Sequence, residues 1–382
     1  MSLAVADIVI KPVKTWREKK KFLNVPWELY QGDPNWIPPL RQNQKELVGY
    51  ARHPFYAKNL VQTFIAYKGW QPVGRIAAIV NYTHNERYKE DRGFFGFFES
   101  IDDQRVATGL FDAARDWLQA QGMTKMRGPV NPSLNYECGT LVDGFYEPAT
   151  FMMTYNHPWH DRLIQNAGFV KSQDRYAFWG HIEMLRGLDE KVQFICDECI
   201  KRFDIHLRPL NRKRFMPEVR MFLDIYNQSL AGTWGFTPLS DGEIEHAAQA
   251  LRYLIIPEMT TVAEIEGRPI AAAFGLLDYN PRIKRISGKL FPFGFLYLLW
   301  NRKQIKRVRL VSTNVLPEFQ RWGVGLAVMS RLVPGALEWG IEEGEFSWVL
   351  ESNHLSYKTL KRGGAKLTKT YRIYDYEEWE SQ

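Results

Sequence analysis

One segment, RLVSTNVLPEFQRWGVGLAVMSRLVPGALEWG, spans residues 309–340 and combines residue types suited to binding an anion. An apolar strand is predicted to end at Val315, and a helix is predicted to open around Gly323 and Gly325. Glycines let backbone amides approach a ligand closely, and the first N–H groups of a helix lack partners and favour negative charge. Arg321 adds a full positive charge. The pattern predicts a pyrophosphate site; the alternative is that the glycines only shape a turn or allow close packing.

The spacing Gln320-x-x-Gly323-x-Gly325 after Val315-Leu316-Pro317 resembles the acyl-CoA-binding motif of GNAT-type N-acyltransferases. The resemblance implies that backbone amides of the turn hold the CoA pyrophosphate. It also implies that the strand end binds the pantetheine arm or the acyl carbonyl, where the strand separates from its neighbour. The implied cofactor is acetyl-CoA or another acyl-CoA, with no metal. The implied cofactor-binding residues are Val315, Gln320, Arg321, Trp322, Gly323, Val324, Gly325 and Asn353.

A second segment of the resemblance, FSWVLESNHLSYKTLKRGG, covers residues 346–364 and contains the candidate acid and base. Asn353 lies where GNAT chains often have an asparagine that contacts the cofactor; capping the next helix is the alternative. The usual acid, a tyrosine seven residues later, is replaced by Leu360. Tyr357, three residues earlier on a similar face, is the substitute that we predict. Glu351 is the predicted base for the amine, and a solvated charge at the strand end is the alternative.

The corresponding junction in the first half, FFGFFESIDDQRVATGLFDAARDWL, lacks the glycine motif. Glu99, Asp102 and Asp103 lie where the pyrophosphate would bind. Carboxylates at a helix start satisfy its amides and repel a phosphate. We therefore predict that the first half does not bind CoA and instead helps to form the acceptor pocket.

A glycine- and proline-rich segment at residues 128–148 is predicted to be a structured loop. Ordered loops of this length are often functional, although a loop that only folds on its own turns is the alternative. The residues predicted to bind a polar acceptor are Asn131, Asn135, Tyr136 and Glu137.

The chain looks doubled, because Gly168 and Gly364 each follow a short helix and precede an extended basic and aromatic stretch. Each half has the order strand, helical region, hairpin, strand, helix, strand, helix, strand. The predicted fold class is α+β (mixed α/β), with two GNAT-like units, each a mainly antiparallel mixed sheet flanked by helices. The predicted domains are 1–185, a connecting helix at 186–204, and 205–382. Such a tandem chain distantly resembles Fem-type and mycothiol-synthase-like proteins.

Composition excludes several classes of protein. The 382 residues are 45% hydrophobic and 24% charged, which is typical of globular proteins rather than disordered or fibrous ones. The net charge of +7 suits an anionic cofactor without demanding a nucleic acid. Three cysteines, no signal pattern and no apolar run of membrane-spanning length predict a cytoplasmic protein.

An apolar and aromatic stretch followed by a basic run occupies residues 288–309 of the second half. Three interpretations stay open: peripheral contact with an anionic membrane, a buried helix with a solvated basic end, or a homodimer contact. The cations of the run are Arg302, Lys303, Lys306, Arg307 and Arg309.

The predicted activity is acyl-CoA-dependent N-acyl transfer, with acetyl transfer to a primary amine of a small molecule or amino-acid derivative as the expected reaction. Direct attack by the amine is expected, because no serine or cysteine nucleophile motif is present. One alternative is a Fem-like transferase that uses aminoacyl-tRNA, which is the only reading with a nucleic-acid partner. The other is a non-catalytic CoA-binding or scaffold protein.

Overall fold

The computed structural model describes residues 7–186, 190–377 and 379. The strands are β1 (Ile8–Pro12), β2 (Leu60–Lys68), β3 (Gln71–Val80), β4 (Arg92–Ser100), β5 (Lys125–Gly128), β6 (Val130–Asn131), β7 (Glu137–Cys138), β8 (Thr140–Asp143), β9 (Val170–His181), β10 (His206–Arg208), β11 (Thr260–Ile265), β12 (Arg268–Leu277), β13 (Arg307–Val315), β14 (Glu343–Leu350) and β15 (Lys366–Tyr376).

The α-helices follow the order predicted for each half, with additions. They are α1 (Trp16–Leu29), α2 (Arg41–Leu47), α3 (Tyr82–Tyr88), α4 (Gln104–Ala120), α5 (Trp159–Asn166), α6 (Glu183–Arg186), α7 (Glu190–Phe203), α8 (Phe215–Ser229), α9 (Asp241–Leu251), α10 (Asn280–Arg285), α11 (Gly294–Leu299), α12 (Val324–Trp339) and α13 (His354–Arg362). In the described part of the chain, no helix has the length and apolar character needed to cross a bilayer.

The first compact unit consists of the segments Met1–Asp174, Pro281–Gly294 and Lys369–Gln382. Its sheet has the order β1-β2-β3-β4-β5-β15, in which β4 and β5 are parallel and the other neighbours are antiparallel. Alternate residues of β3 pack on one face of the sheet with α4 and α5, because side chains of a strand point to opposite faces, and Phe95 and Phe98 of β4 join the same cluster. Helix α1 covers the other face through Phe22, whose carbonyl oxygen accepts from Arg75 at 3.0 Å.

The second compact unit consists of Arg175–Asn280 and Phe295–Thr368. Its sheet has the order β9-β14-β13-β12-β11-β10, and only the β13–β14 pair is parallel. An apolar core joins this sheet to α7, α8 and α12. Ser240 caps the start of helix α9, where Ser240 and Glu243 exchange backbone and side-chain hydrogen bonds.

Each unit obtains a strand from the distant half of the sequence. Residues 370–376 of β15 pair within the first unit, and residues 175–181 of β9 pair within the second. The predicted architecture of two units, each with a mixed, mainly antiparallel sheet flanked by helices, is confirmed. The predicted division into domains 1–185 and 205–382, with a connecting helix between them, follows the doubling of the sequence. This division stays a prediction.

One local prediction is wrong. The segment 128–148, predicted as a loop, contains the short strands β6, β7 and β8. Helix α10 has no counterpart among the predicted elements. Helix α11 lies in the stretch 288–309, for which a buried helix is one interpretation, but Leu298 is the only one of its residues that is buried.

Candidate functional site

Strands β13 and β14 run side by side only over their first halves. The parallel register pairs Arg307 with Glu343 and ends where Leu310 lies beside Phe346. Beyond that point β13 continues along β12 as far as Val315, whereas β14 continues along β9. Within the described chain no strand lies between these two strand ends. We call the gap between the ends of β13 and β14 the split. It is the separation predicted next to Val315, and it leaves backbone donors and acceptors of both strand ends facing a cleft.

Helix α12 begins directly after the end of β13 and a short turn. Arg321 (φ 72°) and Gly323 (φ 88°) have the left-handed backbone conformation that turns the chain into the helix. Among the described residues no side chain caps this helix start, so its first N–H groups keep their donor capacity. A Cβ on Gly323 would lie 3.2 Å from Ile195 of α7, whereas one on Gly325 would meet only Val315, at 3.7 Å. Gly323 thus serves turn and packing, and Gly325 leaves the helix start uncovered.

The other predicted motif residues shape the turn between β13 and α12. Gln320 Nε2 donates to the carbonyl oxygen of the last β13 residue at 3.1 Å. The Trp322 ring packs edge-on against Phe203 of α7, with 4.6 Å between ring centroids. The Arg321 side chain is exposed and Val324 is buried, so Val324 can offer a ligand only its backbone.

Two predicted residues follow β14. Asn353 Oδ1 accepts from the Ser356 N–H at 3.1 Å, so the side chain caps α13, which is the structural alternative considered for it. Glu351 is half-buried in the turn directly after the strand. Both residues therefore lie at the β14 end that borders the split.

Tyr357 packs against β9. Its ring centroid lies 5.4 Å from that of Tyr176 and 5.3 Å from that of Phe178, both edge-on. Leu360 belongs to the same small apolar cluster. The two α13 residues thus share one helix face, as their spacing predicted, and the role of Tyr357 as an acid stays a prediction.

Sequence reasoning misses a buried polar network at the root of the split. Arg309 is 3% exposed, and its Nε donates to Ser347 Oγ at 2.8 Å. Ser347 Oγ in turn donates to Glu345 Oε1 at 2.7 Å. Grouping Arg309 with the solvated basic run was therefore wrong. The sequence does contain one sign of this network. Glu345 and Ser347 are two residues apart in a predicted strand, so both side chains lie on the same face of that strand.

The Trp348 ring lies close to two guanidinium groups. It is 5.1 Å from the Arg175 carbon and 5.2 Å from the Arg309 carbon, which suits cation–π contact. Its Nε1 is buried and has no hydrogen-bond partner among the residues that the structure describes. A buried donor without a partner in the protein marks a place where a ligand or water can accept.

The first unit has a similar pair of strands, β4 and β5, whose parallel register ends at Phe94. Here the β6 segment of the chain lies beside β4 where the two strands separate. A Cβ on Gly96 would lie 1.7 Å from the Val130 carbonyl oxygen, and Asn131 Oδ1 accepts from the Phe97 N–H at 2.7 Å. The predicted acceptor residue Asn131 therefore holds β6 against β4, and its role toward an acceptor stays a prediction.

The remaining predicted acceptor residues belong to the same hairpin of the first unit. Glu137 in β7 pairs with Asn131 in β6. The Asn135 N–H donates to Ser133 Oγ at 3.3 Å, and the Tyr136 ring lies 5.5 Å from that of His53. The segment is thus ordered by its own contacts. Nothing in those contacts assigns an acceptor to it.

The acidic residues before α4 have two different roles. Asp103 caps the helix by accepting from the Arg105 N–H at 3.0 Å, as predicted for a carboxylate in this place. Glu99 is instead buried, where it accepts from Tyr30 Oη at 2.7 Å and lies 3.7 Å from Arg75. Placing Glu99 at the helix start was wrong. Burial raises its pKa to about 7, against the opposing effects of Arg75 and Tyr30.

Other titratable side chains are explained by packing. The His157 ring stacks on Trp159 at 4.1 Å, and His160 bonds to a β4 carbonyl oxygen at 3.2 Å. Burial lowers the pKa of His160 to about 3. Burial likewise raises the pKa of both thiols of the CxxC pair, Cys196 and Cys199. The described residues contain no cluster of three or more His, Cys, Asp or Glu suited to a metal.

Two curated proteins resemble the chain over nearly its whole length, although no protein-family model matches it. It is 35% identical to Protein YghO of Escherichia coli strain K12 over 372 aligned positions, and the alignment covers 95% of this chain and 94% of that protein. It is 33% identical to the bacterial ceramide synthase of Caulobacter vibrioides over 383 aligned positions, and the alignment covers 97% of each chain.

Solved structures of GCN5-related N-acetyltransferases share the fold. A tandem GNAT protein from the clavulanic acid biosynthesis pathway matches with a TM-score of 0.58 and 10% identity, over 98% of this chain and 100% of that one. A GCN5-related glucosamine N-acetyltransferase region in a fungal multi-domain β-N-acetylglucosaminidase gives 0.58 and 14%, over 98% of this chain and 38% of that one. The chain therefore belongs to the family of YghO and bacterial ceramide synthase, and it has the tandem GNAT fold.

Proposed function

We propose that the chain is an acyl-CoA-dependent N-acyltransferase. The observation that supports this most is the split between β13 and β14 next to the uncapped start of α12. First-turn N–H groups suit a pyrophosphate. The edge of β13 that faces the split would bond the amides of a pantetheine arm as it would a neighbouring strand. A thioester at the end of that arm would then lie within the split.

In the proposed reaction the amine nitrogen of the acceptor attacks the thioester carbonyl carbon. A C–N bond forms, the C–S bond breaks, and the products are an amide and CoA thiol. Glu351 accepts the proton that the nitrogen loses, and Tyr357 donates the proton that the thiolate gains, each directly or through water. The Val315 amide polarises the carbonyl oxygen. No acyl-enzyme forms, because the amine attacks directly.

For the substrates we propose a fatty acyl-CoA and a long-chain amine. The support is the relative named bacterial ceramide synthase, which is 33% identical over 97% of both chains. A ceramide has a fatty acyl group in amide linkage to a long-chain amino alcohol, so its synthesis forms the bond that this site suits. The indole N–H of Trp348, which is a donor only, would donate a hydrogen bond to a hydroxyl oxygen of such an amino alcohol. Acetyl transfer to a small amine is the alternative.

The test compares CoA binding by calorimetry for wild type and two glycine variants. Gly325→Glu places a carboxylate at the helix start, and should weaken binding about tenfold or more, as about 1.4 kcal/mol of repulsion would. Gly232→Glu is the matched control, because a Cβ there meets nothing within 4 Å and a Cβ on Gly325 meets only Val315, at 3.7 Å. Equal losses in both variants, or no CoA binding by wild type, would overturn the proposal.

Release of free thiol then identifies the substrates. We expect release from a fatty acyl-CoA that depends on a long-chain amine, and slower release from acetyl-CoA. Faster release with acetyl-CoA and a small polar amine would instead support the alternative acceptor. CoA binding without thiol release from any amine would support a non-catalytic protein.

A further inference from the structure

An exposed aromatic segment follows α10 in the chain, and we call its residues 289–303 the aromatic loop. Phe291, Phe293 and Trp300 are 76%, 73% and 74% exposed, and Leu296 is 55% exposed. Single exposed apolar side chains are common in folded proteins. Several within fifteen consecutive residues are unusual, and such a cluster marks a surface that contacts another apolar phase.

The backbone of the aromatic loop is closely packed. A Cβ on Gly294, the first residue of α11, would lie 2.0 Å from the Lys289 carbonyl oxygen, so the turn before the helix closes on itself. The Trp300 N–H bonds to the Leu296 carbonyl oxygen at 2.8 Å and ends the helix. The exposed rings are therefore presented by an ordered turn and helix.

The start of the aromatic loop is anchored in the first unit. The Arg41 N–H donates to the Gly288 carbonyl oxygen at 3.0 Å, and Trp27 Nε1 donates to Ser287 Oγ at 3.3 Å. A Cβ on Gly288 would lie 2.1 Å from the Pro39 carbonyl oxygen, which shows how closely the backbones approach. This anchoring fixes the point from which Phe291 and Phe293 project.

The aromatic loop itself contains three cations, Lys289, Arg302 and Lys303, and no Asp or Glu. The cations that follow it are engaged within the protein, because Lys306 and Arg307 form ion pairs and Arg309 is buried. The charge of the loop is therefore carried by Lys289 at its start and by Arg302 and Lys303 at its end. An apolar cluster with cations on both sides matches the interface of a bilayer that contains anionic lipid, where rings enter the headgroup region and cations remain at the phosphates.

We infer that the aromatic loop binds the surface of an anionic membrane. A second copy of the chain is a less suitable occupant, because a symmetric contact would bring the same cations together. Peripheral binding of this kind needs no spanning helix. The inference does not depend on the proposed reaction, since it concerns a surface and not the split between β13 and β14.

The test is sedimentation of the full chain with vesicles. We expect binding to vesicles of phosphatidylglycerol and phosphatidylcholine, weaker binding to phosphatidylcholine alone, and release by added salt. The triple variant Phe291→Ser, Phe293→Ser, Trp300→Ser should lose binding to the mixed vesicles. The matched control is Trp16→Ser with Trp70→Ser, which removes two residues that are 70% and 90% exposed outside the loop.

Three outcomes would overturn the inference: no binding to anionic vesicles, equal binding by the triple variant, or equal loss in the control. Thermal unfolding of each variant separates loss of binding from loss of folding. If the triple variant unfolds early, Lys303→Glu with Arg302→Glu replaces it. Light scattering that shows a dimer in wild type and a monomer in the triple variant would assign the surface to self-association. CoA binding by calorimetry should be unchanged in all these variants if the proposed function holds, so the two proposals fail separately.

Discussion

At the scale of single residues, Glu99 shows how burial changes the chemistry of a carboxyl group. Tyr30 donates to it and Arg75 lies 3.7 Å away, yet desolvation outweighs both and raises its pKa from 4.5 to about 7. The folded chain therefore holds a proton at a pH where the unfolded chain has already released it. The surrounding contacts are structural, since Tyr30 also stacks on Trp36 and His157.

We expect Glu99 to lower the stability of the protein as the pH rises. The folded-state pKa of Glu99 lies above the unfolded value. Its stabilising contribution to the free energy of unfolding is therefore complete below pH 4.5 and is lost as the pH rises through about 7. A shift of this size corresponds to about 3 kcal/mol. Glu99→Gln should therefore flatten the fall in the midpoint of thermal unfolding between about pH 5 and pH 8.

Asp174→Asn is the control for this pH dependence. Burial alone would raise the pKa of Asp174, but hydrogen bonds from Arg372 and Lys171 hold it below its ordinary value, and neither partner titrates near neutral pH. The contribution of Asp174 to stability is consequently lost only in acid, and its removal should leave the slope in the neutral range unchanged. A wild-type slope in Glu99→Gln would assign the neutral pH dependence to another group.

At the scale of elements, the long helices and strands of the second unit could be predicted because their signals are local. Ser240 and Glu243 form the box that begins α9, and Gly323 and Gly340 flank α12 with left-handed backbone. A two-residue strand such as β6 is too short to show an alternation of apolar and polar residues, so it could not be predicted from the sequence. The burial of Arg309 could not be predicted, because its partner Ser347 is 38 residues away and meets it only through the β13–β14 register.

The two glycines of the α12 start should respond differently to alanine. Gly323→Ala places a residue with a Cβ in the left-handed backbone conformation, which lowers the free energy of unfolding by about 1–2 kcal/mol. The new Cβ would also lie 3.2 Å from Ile195. Gly325→Ala meets only Val315 at 3.7 Å and gains up to ~1 kcal/mol of helix propensity. The midpoint of thermal unfolding should fall in the first variant and stay or rise in the second. Equal midpoints would contradict the packing role assigned to Gly323.

At the scale of the whole molecule, the C-terminal strand is part of the first unit's core. Arg127 forms two hydrogen bonds with Asp375, at 2.6 and 2.7 Å. Lys369 is fully buried and donates to Glu147 at 2.6 Å, and Tyr374 belongs to the apolar core that contains α4. A sequence repeat predicts two similar halves, but it cannot show that a strand of one half completes the sheet of the other.

Residues 1–185 expressed alone should therefore fail to fold cooperatively. The fragment lacks β15, so the edge of β5 would be exposed and Arg127 would keep a largely buried charge without Asp375, which is strongly destabilising. We expect a broad thermal transition and aggregation for this fragment. Co-expression with residues 186–382 should give a soluble pair that purifies together, because β15 is then supplied in trans. A soluble fragment 1–185 with a sharp unfolding transition would show that the first unit does not need this strand.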